Sequence, residues 1–354
     1  MDRDEKIDPN QNSEIHKLIN AFQVYSNSTP IGVIGGIEIT VTDVVVASLI
    51  ARENMLFVGR PGWGKSQLME DIMDGVFNQR AVYFRGRHDL DIKEVFERIN
   101  LHKLRDAKTD EEVKELTENV REVCFVIDEI NRAPPLIQNT FYGLMDGYIS
   151  FKGKKYKLGR LGYSIGIAGA NLGDGNYSGT FNIDDALNER LHVALDLSSL
   201  HKPEPTDFFD IFSFTDNPRI KETEPQDLSE QLFRLHQRFV DSEVDLYYAI
   251  FKTYLTAGLD WCPMEEVRNS KSILGKNFSS ILKEKGYTHE LATLTGTSTG
   301  MSPRMSLVVS GLARALEMVA KAKGAEGFLG VDSSIVALKI IAPYAGIFLS
   351  LIHI

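Results

Sequence analysis

A parallel β-sheet packed between layers of helices, with an all-helical unit after it, is the α/β architecture this sequence predicts. Short apolar runs at residues 55–58, 123–127 and 165–170 alternate with stretches of helical spacing, and that alternation builds a three-layer sheet. Five consecutive apolar residues at 123–127 suit a strand covered on both faces. Beyond residue 200 the composition turns rich in Pro and Asp, and residues 228–322 then read as mostly helical.

Taken in order, residues 14–24 place Ile15, Leu18, Ile19 and Phe22 at helical spacing, and a Ser/Thr/Pro stretch breaks it. A mostly apolar helix is expected over 41–50, a strand at 55–58, a glycine-rich turn, and a helix over 65–76. A second strand is expected at 81–84, then a strongly charged, helical-looking stretch at 91–120. Residues 137–145 read as a helix, 148–158 as a hairpin around Lys152-Gly153, and 193–197 as a fifth strand. In the last clear helix Val308, Leu312, Ala315, Leu316 and Val319 share one face.

The length of 354 residues suits two domains plus tails, and 43% hydrophobic with 25% charged residues is ordinary globular composition. A net charge of -10 argues against a general affinity for nucleic acid, while leaving room for a local basic patch. Cys124 and Cys262 make no disulfide framework, so a reducing, cytoplasmic setting is expected. Residues 1–14 are polar, without an apolar signal core. Residues 340–354 carry no Asp, Glu, Lys or Arg, with His353 the one side chain able to gain a charge by protonation near neutral pH, but fall short of the roughly 20 apolar residues of a membrane span. A buried helix or a subunit contact is expected there, and no membrane partner.

Gly59, Arg60, Pro61, Gly62, Trp63, Gly64, Lys65 and Ser66 match G-x-x-x-x-G-K-[ST] at every fixed position, with Gln67 following at the helix start. Glycines let the backbone curl so that several N–H groups face one anion. The helix after them adds its positive end. Lys65 is expected on the β and γ phosphates of ATP, and the Ser66 hydroxyl on Mg²⁺. A chance glycine turn is the plainer alternative, but the motif follows an apolar strand and opens a helix. The apolar run at 123–127 ends in Asp128 and Glu129. Asp128 is expected to hold Mg²⁺ through its water shell, and Glu129 to polarise the attacking water. Asn171, after the strand at 165–170, is placed to orient water or touch the γ phosphate; an asparagine there also serves as a simple turn former.

The run Asp128-Glu129-Ile130-Asn131-Arg132-Ala133-Pro134-Pro135 resembles the signature of MoxR-type AAA+ ATPases. The segment from Asn171 through Gly175, Tyr177 and Gly179 to Phe181 resembles the sensor-1 region of MoxR and of chelatase-type relatives. Gly300-Met301-Ser302-Pro303-Arg304 resembles the family's sensor-2 motif. The resemblance implies an AAA+ α/β core over 29–200 after an N-terminal helix and tail (1–28). A connector (201–224), an α-helical lid (225–345) and an apolar tail (346–354) complete the division. It implies that Asn171 is sensor 1 and Arg304 sensor 2. Arg190, within Leu187-Asn188-Glu189-Arg190-Leu191, becomes the trans-acting finger with Arg132 as its rival, and surface ion pairing is the plain alternative for each. A homo-oligomeric, hexameric ring is implied. So is a client protein, with a separate von Willebrand factor A protein as a candidate partner.

The hairpin at 148–158 carries four lysines and three aromatics. It could grip an acidic protein segment or single-stranded nucleic acid, or its lysines could simply guard an edge. Residues 102–122 read as a solvated charged helix, and the eight histidines show no metal-ligand spacing. Two other functions stay open. One is a nucleic-acid motor, or a McrB-type GTPase sharing the run from Asp128 to Ala133; the other is a nucleotide-dependent scaffold with negligible turnover.

Overall fold

The computed structural model describes residues 9–100, 114–171, 180–213, 222–253, 255–256 and 301–343. Expectations for the first eight residues, the middle of the charged stretch, residues 172–179, 214–221, all of 257–300 with Cys262, and the tail beyond 343 lie outside these. The chain divides into two compact units, one of residues 8–29 and 40–237, the other of residues 1–7, 30–39 and 238–354.

The larger unit begins with α1 (Pro9–Ile19) and α2 (Val41–Ala51). A reciprocal cap starts α2: the Thr40 N–H and hydroxyl both donate to the Asp43 carboxylate, at 2.9 and 3.0 Å. Its Val44, Val45, Leu49 and Ile50 are fully buried, each such side chain worth about 1.5–3 kcal/mol of hydrophobic stabilisation. After β1 (Gly32–Ile34) and β2 (Ile37–Ile39), which cluster with the other unit, come β3 (Met55–Gly59), α3 (Lys65–Gly75) and β4 (Ala81–Arg85).

The charged stretch then departs from the helical reading. It forms one turn, α4 (Lys93–Phe96), followed by β5 (Glu97–Ile99) and β6 (Lys114–Leu116), paired antiparallel. Its opposite charges meet across the ladder, Lys114 on Glu97 at 3.4 Å and Arg98 on Glu115 at 3.8 Å. Charge alternation serves a hairpin as well as it serves a helix face. Phe96 is buried and lies 6.0 Å from Phe125 between ring centres, which ties the hairpin to the core.

The unit continues with β7 (Cys124–Asp128), α5 (Pro135–Met145), the hairpin β8 (Tyr148–Phe151) and β9 (Lys154–Lys157), and β10 (Ile165–Asn171). Then follow α6 (Asp185–Asn188), β11 (Val193–Asp196), α7 (Pro205–Ser213) within the Pro- and Asp-rich stretch, and α8 (Ser229–Asp241). Five strands form one parallel sheet in the order β4-β7-β10-β3-β11. All residues of β3, and Cys124, Phe125, Val126 and Ile127 of β7, are buried, as continuous apolar runs require in a sheet covered on both faces. Register sets Arg85 opposite Asp128 and Asn171 opposite Gly59. The C-terminal sheet edge therefore presents Arg85, Asp128, Asn171 and Gly59 in that order. Ligands of open α/β sheets bind beyond this edge.

In the smaller unit the β1–β2 hairpin turns at Gly35-Gly36, both at positive φ. It packs with α9 (Leu246–Thr253), α10 (Pro303–Ala322) and α11 (Gly330–Ile341). Gly35 N–H donates to Asp332, and Lys323 Nζ to the Glu38 carbonyl, at 3.1 and 2.9 Å. Glu317 is buried and satisfied by Tyr248 at 2.6 Å and Lys321 at 2.9 Å. Among the described residues no helix is long and apolar enough to cross a membrane.

Candidate nucleotide site

The loop from Gly59 to Ser66 joins β3 to α3 at the sheet's C-terminal edge. Gly62 and Gly64 hold φ of 83° and 79°, a region that costs other residues about 1–2 kcal/mol. Gly64 caps α3, and a side chain there would also meet the Tyr25 ring at 3.2 Å. Tyr25 lies in a strap over this corner, its N–H and that of Val24 bonded to the buried Asp71 at 2.8 and 3.1 Å.

Lys65 is buried, with Nζ donating to the Gly59 and Arg60 carbonyls at 2.9 and 3.0 Å. Burial pushes its pKa down, against the upward pull of Asp128, Glu129 and Asp196. Ser66 Oγ donates to Asp128 Oδ2 at 3.2 Å, so residues from two separate motifs meet. Tyr83 donates to the same oxygen at 3.2 Å. Burial first, then the Asp128 charge, pushes the Tyr83 phenol up to about 12. Ser66, Asp128 and Tyr83, with Met69, Glu70 and Met73, line a cavity of ≈ 220 Å³.

A hydroxyl and one carboxylate within hydrogen-bond distance are hard oxygen donors. They fit Mg²⁺, which takes one or two protein oxygens alongside phosphate oxygens. Among the described residues no group of three or more His, Cys, Asp or Glu side chains could hold a metal ion. Ser66 and Asp128, with a polyphosphate, are the donors available at this loop.

Glu129 leaves β7 with φ 53° and ψ 40°, a left-handed turn rare for a residue with a side chain. Each of its oxygens holds a guanidinium group: Arg85 Nε reaches Oε2 at 2.8 Å, and Arg132 Nη2 reaches Oε1 at 3.0 Å. The bond to Glu129 is also the main reason the Arg85 guanidinium is pushed above its ordinary range. Gly86 makes the turn fit; its N–H donates to the Asp128 carbonyl at 2.7 Å, and a Cβ there would lie 2.1 Å from the Glu129 carbonyl. Asn171 closes the row. Asn131 holds its backbone from both sides, Nδ2 donating to the Asn171 carbonyl at 2.9 Å and Oδ1 accepting its N–H at 3.3 Å.

Comparison with known proteins bears on this arrangement. A family model described as the MoxR domain of MoxR–vWA–β-propeller ternary systems matches residues 36–178. The matched residues take in the loop from Gly59 to Ser66, the acids Asp128 and Glu129, and Asn171. A crystal structure from Cytophaga hutchinsonii, of a protein provisionally named an ATPase, superposes with a TM-score of 0.62. It is 13% identical and the match covers 94% of this chain and 87% of that one, a likeness of fold. No curated protein matches.

Of the remaining candidates, Arg132 touches Glu129 and Arg190 is held by other partners. Arg190 binds Asp146 at 2.9 Å and the Ala186 carbonyl at 2.6 Å, and stacks 4.8 Å over the Tyr142 ring. Only 19% of its side chain is exposed. Arg132, 47% exposed, lies on Glu129. Trp63 packs edge-on to Phe208 of α7 at 6.3 Å, with the Lys202 ammonium 5.3 Å from its ring centre. Arg60, Pro61 and Gly62 are exposed, and Gln67 bonds Asp71 at 3.1 Å. Arg304 belongs to the smaller unit, exposed in the first turn of α10, whose N-cap Ser302 accepts the Met305 N–H at 3.2 Å. Arg85, Tyr83 and the bridging role of Asn131 went unread in the sequence. A charged residue ending an apolar strand was the available sign for Arg85.

Proposed function

We propose that this chain binds ATP with Mg²⁺ in the loop from Gly59 to Gln67 and hydrolyses it. What carries the reading is the meeting of Ser66 and Asp128 at 3.2 Å beside a buried lysine, with Glu129 one residue further on. Backbone N–H groups of the loop and the start of α3 would cradle the phosphates, and Lys65 would leave its two carbonyls for the β and γ oxygens. Ser66 and Asp128 would hold the Mg²⁺, which when bound neutralises charge on the phosphates. Glu129 would accept a proton from the attacking water as the bond from γ-phosphorus to the bridging oxygen breaks, leaving ADP and phosphate. Asn171 would orient that water.

In this reading the sheet unit is the nucleotide core and the helical unit, with Arg304 at α10, is the lid. Subunits form a homo-oligomer, a hexameric ring, in which Arg190 or Arg132 reaches a neighbour's γ phosphate. For Arg190 that demands release from Asp146 and Tyr142. Turnover would remodel a client protein in the cytoplasm, and the matched family description points to a separate vWA protein, with a β-propeller protein as a third member.

The test compares the parent with Lys65→Ala and Glu129→Gln, each offered Mg²⁺ with ATP or GTP, with and without DNA. Lys65→Ala should lose nucleotide binding. Glu129→Gln should bind and lose turnover by at least ~10²-fold. A parent as slow as Glu129→Gln refutes hydrolysis as the function, and strong stimulation by DNA or a preference for GTP transfers the chain to the nucleic-acid or GTPase class.

A further inference from the structure

The β8–β9 hairpin turns on two residues, Lys152 and Gly153, at φ of 48° and 72°. This is the positive-φ pattern of a two-residue hairpin turn whose first position favours Asn, Asp or Gly. A lysine there holds a costly conformation, and strain kept at a surface tip points to use. All four residues of β9, Lys154, Lys155, Tyr156 and Lys157, are exposed. From Gly147 to Asn171 the sequence holds no Asp or Glu. Among the described residues none of the four hairpin lysines has an ion-pair partner, in a chain of net charge -10. β9 pairs only with β8, and its other edge has no backbone partner among the described residues.

Two ligand chemistries compete for such a patch. Single-stranded nucleic acid needs open aromatic faces on which bases stack. Here the faces are occupied. Lys155 Nζ lies 4.2 Å over the Tyr148 ring and Lys152 Nζ 5.0 Å over Phe151, while Tyr156 meets Phe151 edge to face. Phe151 is buried besides. What remains on offer is an open strand edge and four ammonium groups. Lysines on a free edge repel basic strands, and an uncharged strand would strip their hydration without supplying a counter-charge. They admit an acidic one.

We propose that β9 is a docking edge for an extended acidic segment of a protein partner, which adds to the hairpin as a third strand. Register sets Lys155 and Lys157 on one face, with Tyr148 and Ser150 opposite them, and Lys154 on the other. The segment that fits has carboxylates two residues apart facing Lys155 and Lys157, with main-chain hydrogen bonds along the edge. The inference gives chemistry to the client in the function proposed above and rests on that reading for its purpose alone; its binding step needs no nucleotide.

The experiment uses the full chain and fluorescent ten-residue peptides alternating Glu and Thr, followed by anisotropy. Controls are the Gln/Thr peptide, the Glu/Thr peptide N-methylated at alternate amides, and a ten-nucleotide oligo-dT. The Glu/Thr peptide should bind, weaken with salt, and weaken about fivefold on K154Q/K155Q/K157Q, the sum of the two exposed charge pairs at Lys155 and Lys157. The N-methylated peptide should bind far less well, because it cannot complete the ladder. Equal binding of both peptides overturns strand addition, and oligo-dT binding as tightly as the Glu/Thr peptide overturns the choice of ligand. No binding overturns the site. Mg²⁺-ATP affinity of K154Q/K155Q/K157Q, measured alongside, should match the parent, so failure at the hairpin stays separate from failure at the nucleotide loop.

Discussion

Glu129 is the proposed general base, and both its oxygens hold guanidinium groups, Arg85 at 2.8 Å and Arg132 at 3.0 Å. Each carboxylate oxygen keeps a second lone pair, but the two guanidinium groups fix the carboxylate's orientation, so turning it toward an attacking water strains the Arg85 pair. Its size follows from exposure. The Arg85 side chain is 67% exposed, which puts the pair in the surface range of about 0.2–1 kcal/mol. Arg85→Met should therefore raise basal turnover ~1.4- to 5-fold at saturating Mg²⁺-ATP. KM should stay unchanged, because Arg85 bonds the acid and not the loop. Arg132→Met should act in the same direction, and the double variant should not show the product of the two, since both arginines share one carboxylate. A coupled phosphate-release assay on the three variants decides it. If Arg85→Met lowers kcat tenfold with KM unchanged, Arg85 is stabilising the transition state and the restraint argument is wrong.

Gly86→Ala would drive a methyl to 2.1 Å from the Glu129 carbonyl, costing about 1–3 kcal/mol in thermal unfolding and lowering kcat by displacing the acid. Asn131→Ala removes both bonds to the Asn171 backbone; kcat should fall about tenfold with ATP affinity kept, read from kcat and KM separately. His201, 6% exposed, has its pKa pushed down to about 4, mainly by burial, and its Nδ1 accepts the Asp196 N–H at 3.1 Å. The neutral ring is the folded form, so its contribution is complete above the unfolded value of about 6.5 and is lost as pH falls from there toward 4. Between pH 7.5 and 4.5 the parent should lose stability on the order of 2–3 kcal/mol that His201→Gln does not lose, measured by urea unfolding at both values.

The strands and the loop between Gly59 and Ser66 were legible because each is set by neighbours in sequence: apolar runs, glycines at fixed spacing, acids ending a run. The stretch at 91–120 was not, because Lys114 on Glu97 and Arg98 on Glu115 are cross-strand pairs between residues far apart in the chain. The β1–β2 hairpin did leave a sign. Gly35-Gly36 stands between apolar-rich runs, but the same glycines also read as a simple break.

What sequence order hides most is the row along the sheet edge. Gly59, Arg85, Asp128 and Asn171 follow one another in the chain, yet the sheet presents them as Arg85, Asp128, Asn171, Gly59. That permutation does the chemical assembly. It puts Asp128 3.2 Å from Ser66 although β3 and β7 are not neighbours, and β10 between them leaves room with Gly169, where a Cβ would lie 2.9 Å from the carboxylate. It also puts Arg85 beside Glu129 by direct pairing of β4 with β7. The motif residues supply the groups that would touch the nucleotide, and the crossover connections decide which charges restrain them. A motif therefore predicts binding from a few consecutive residues, while the ease with which Glu129 is freed depends on a strand that carries no motif at all.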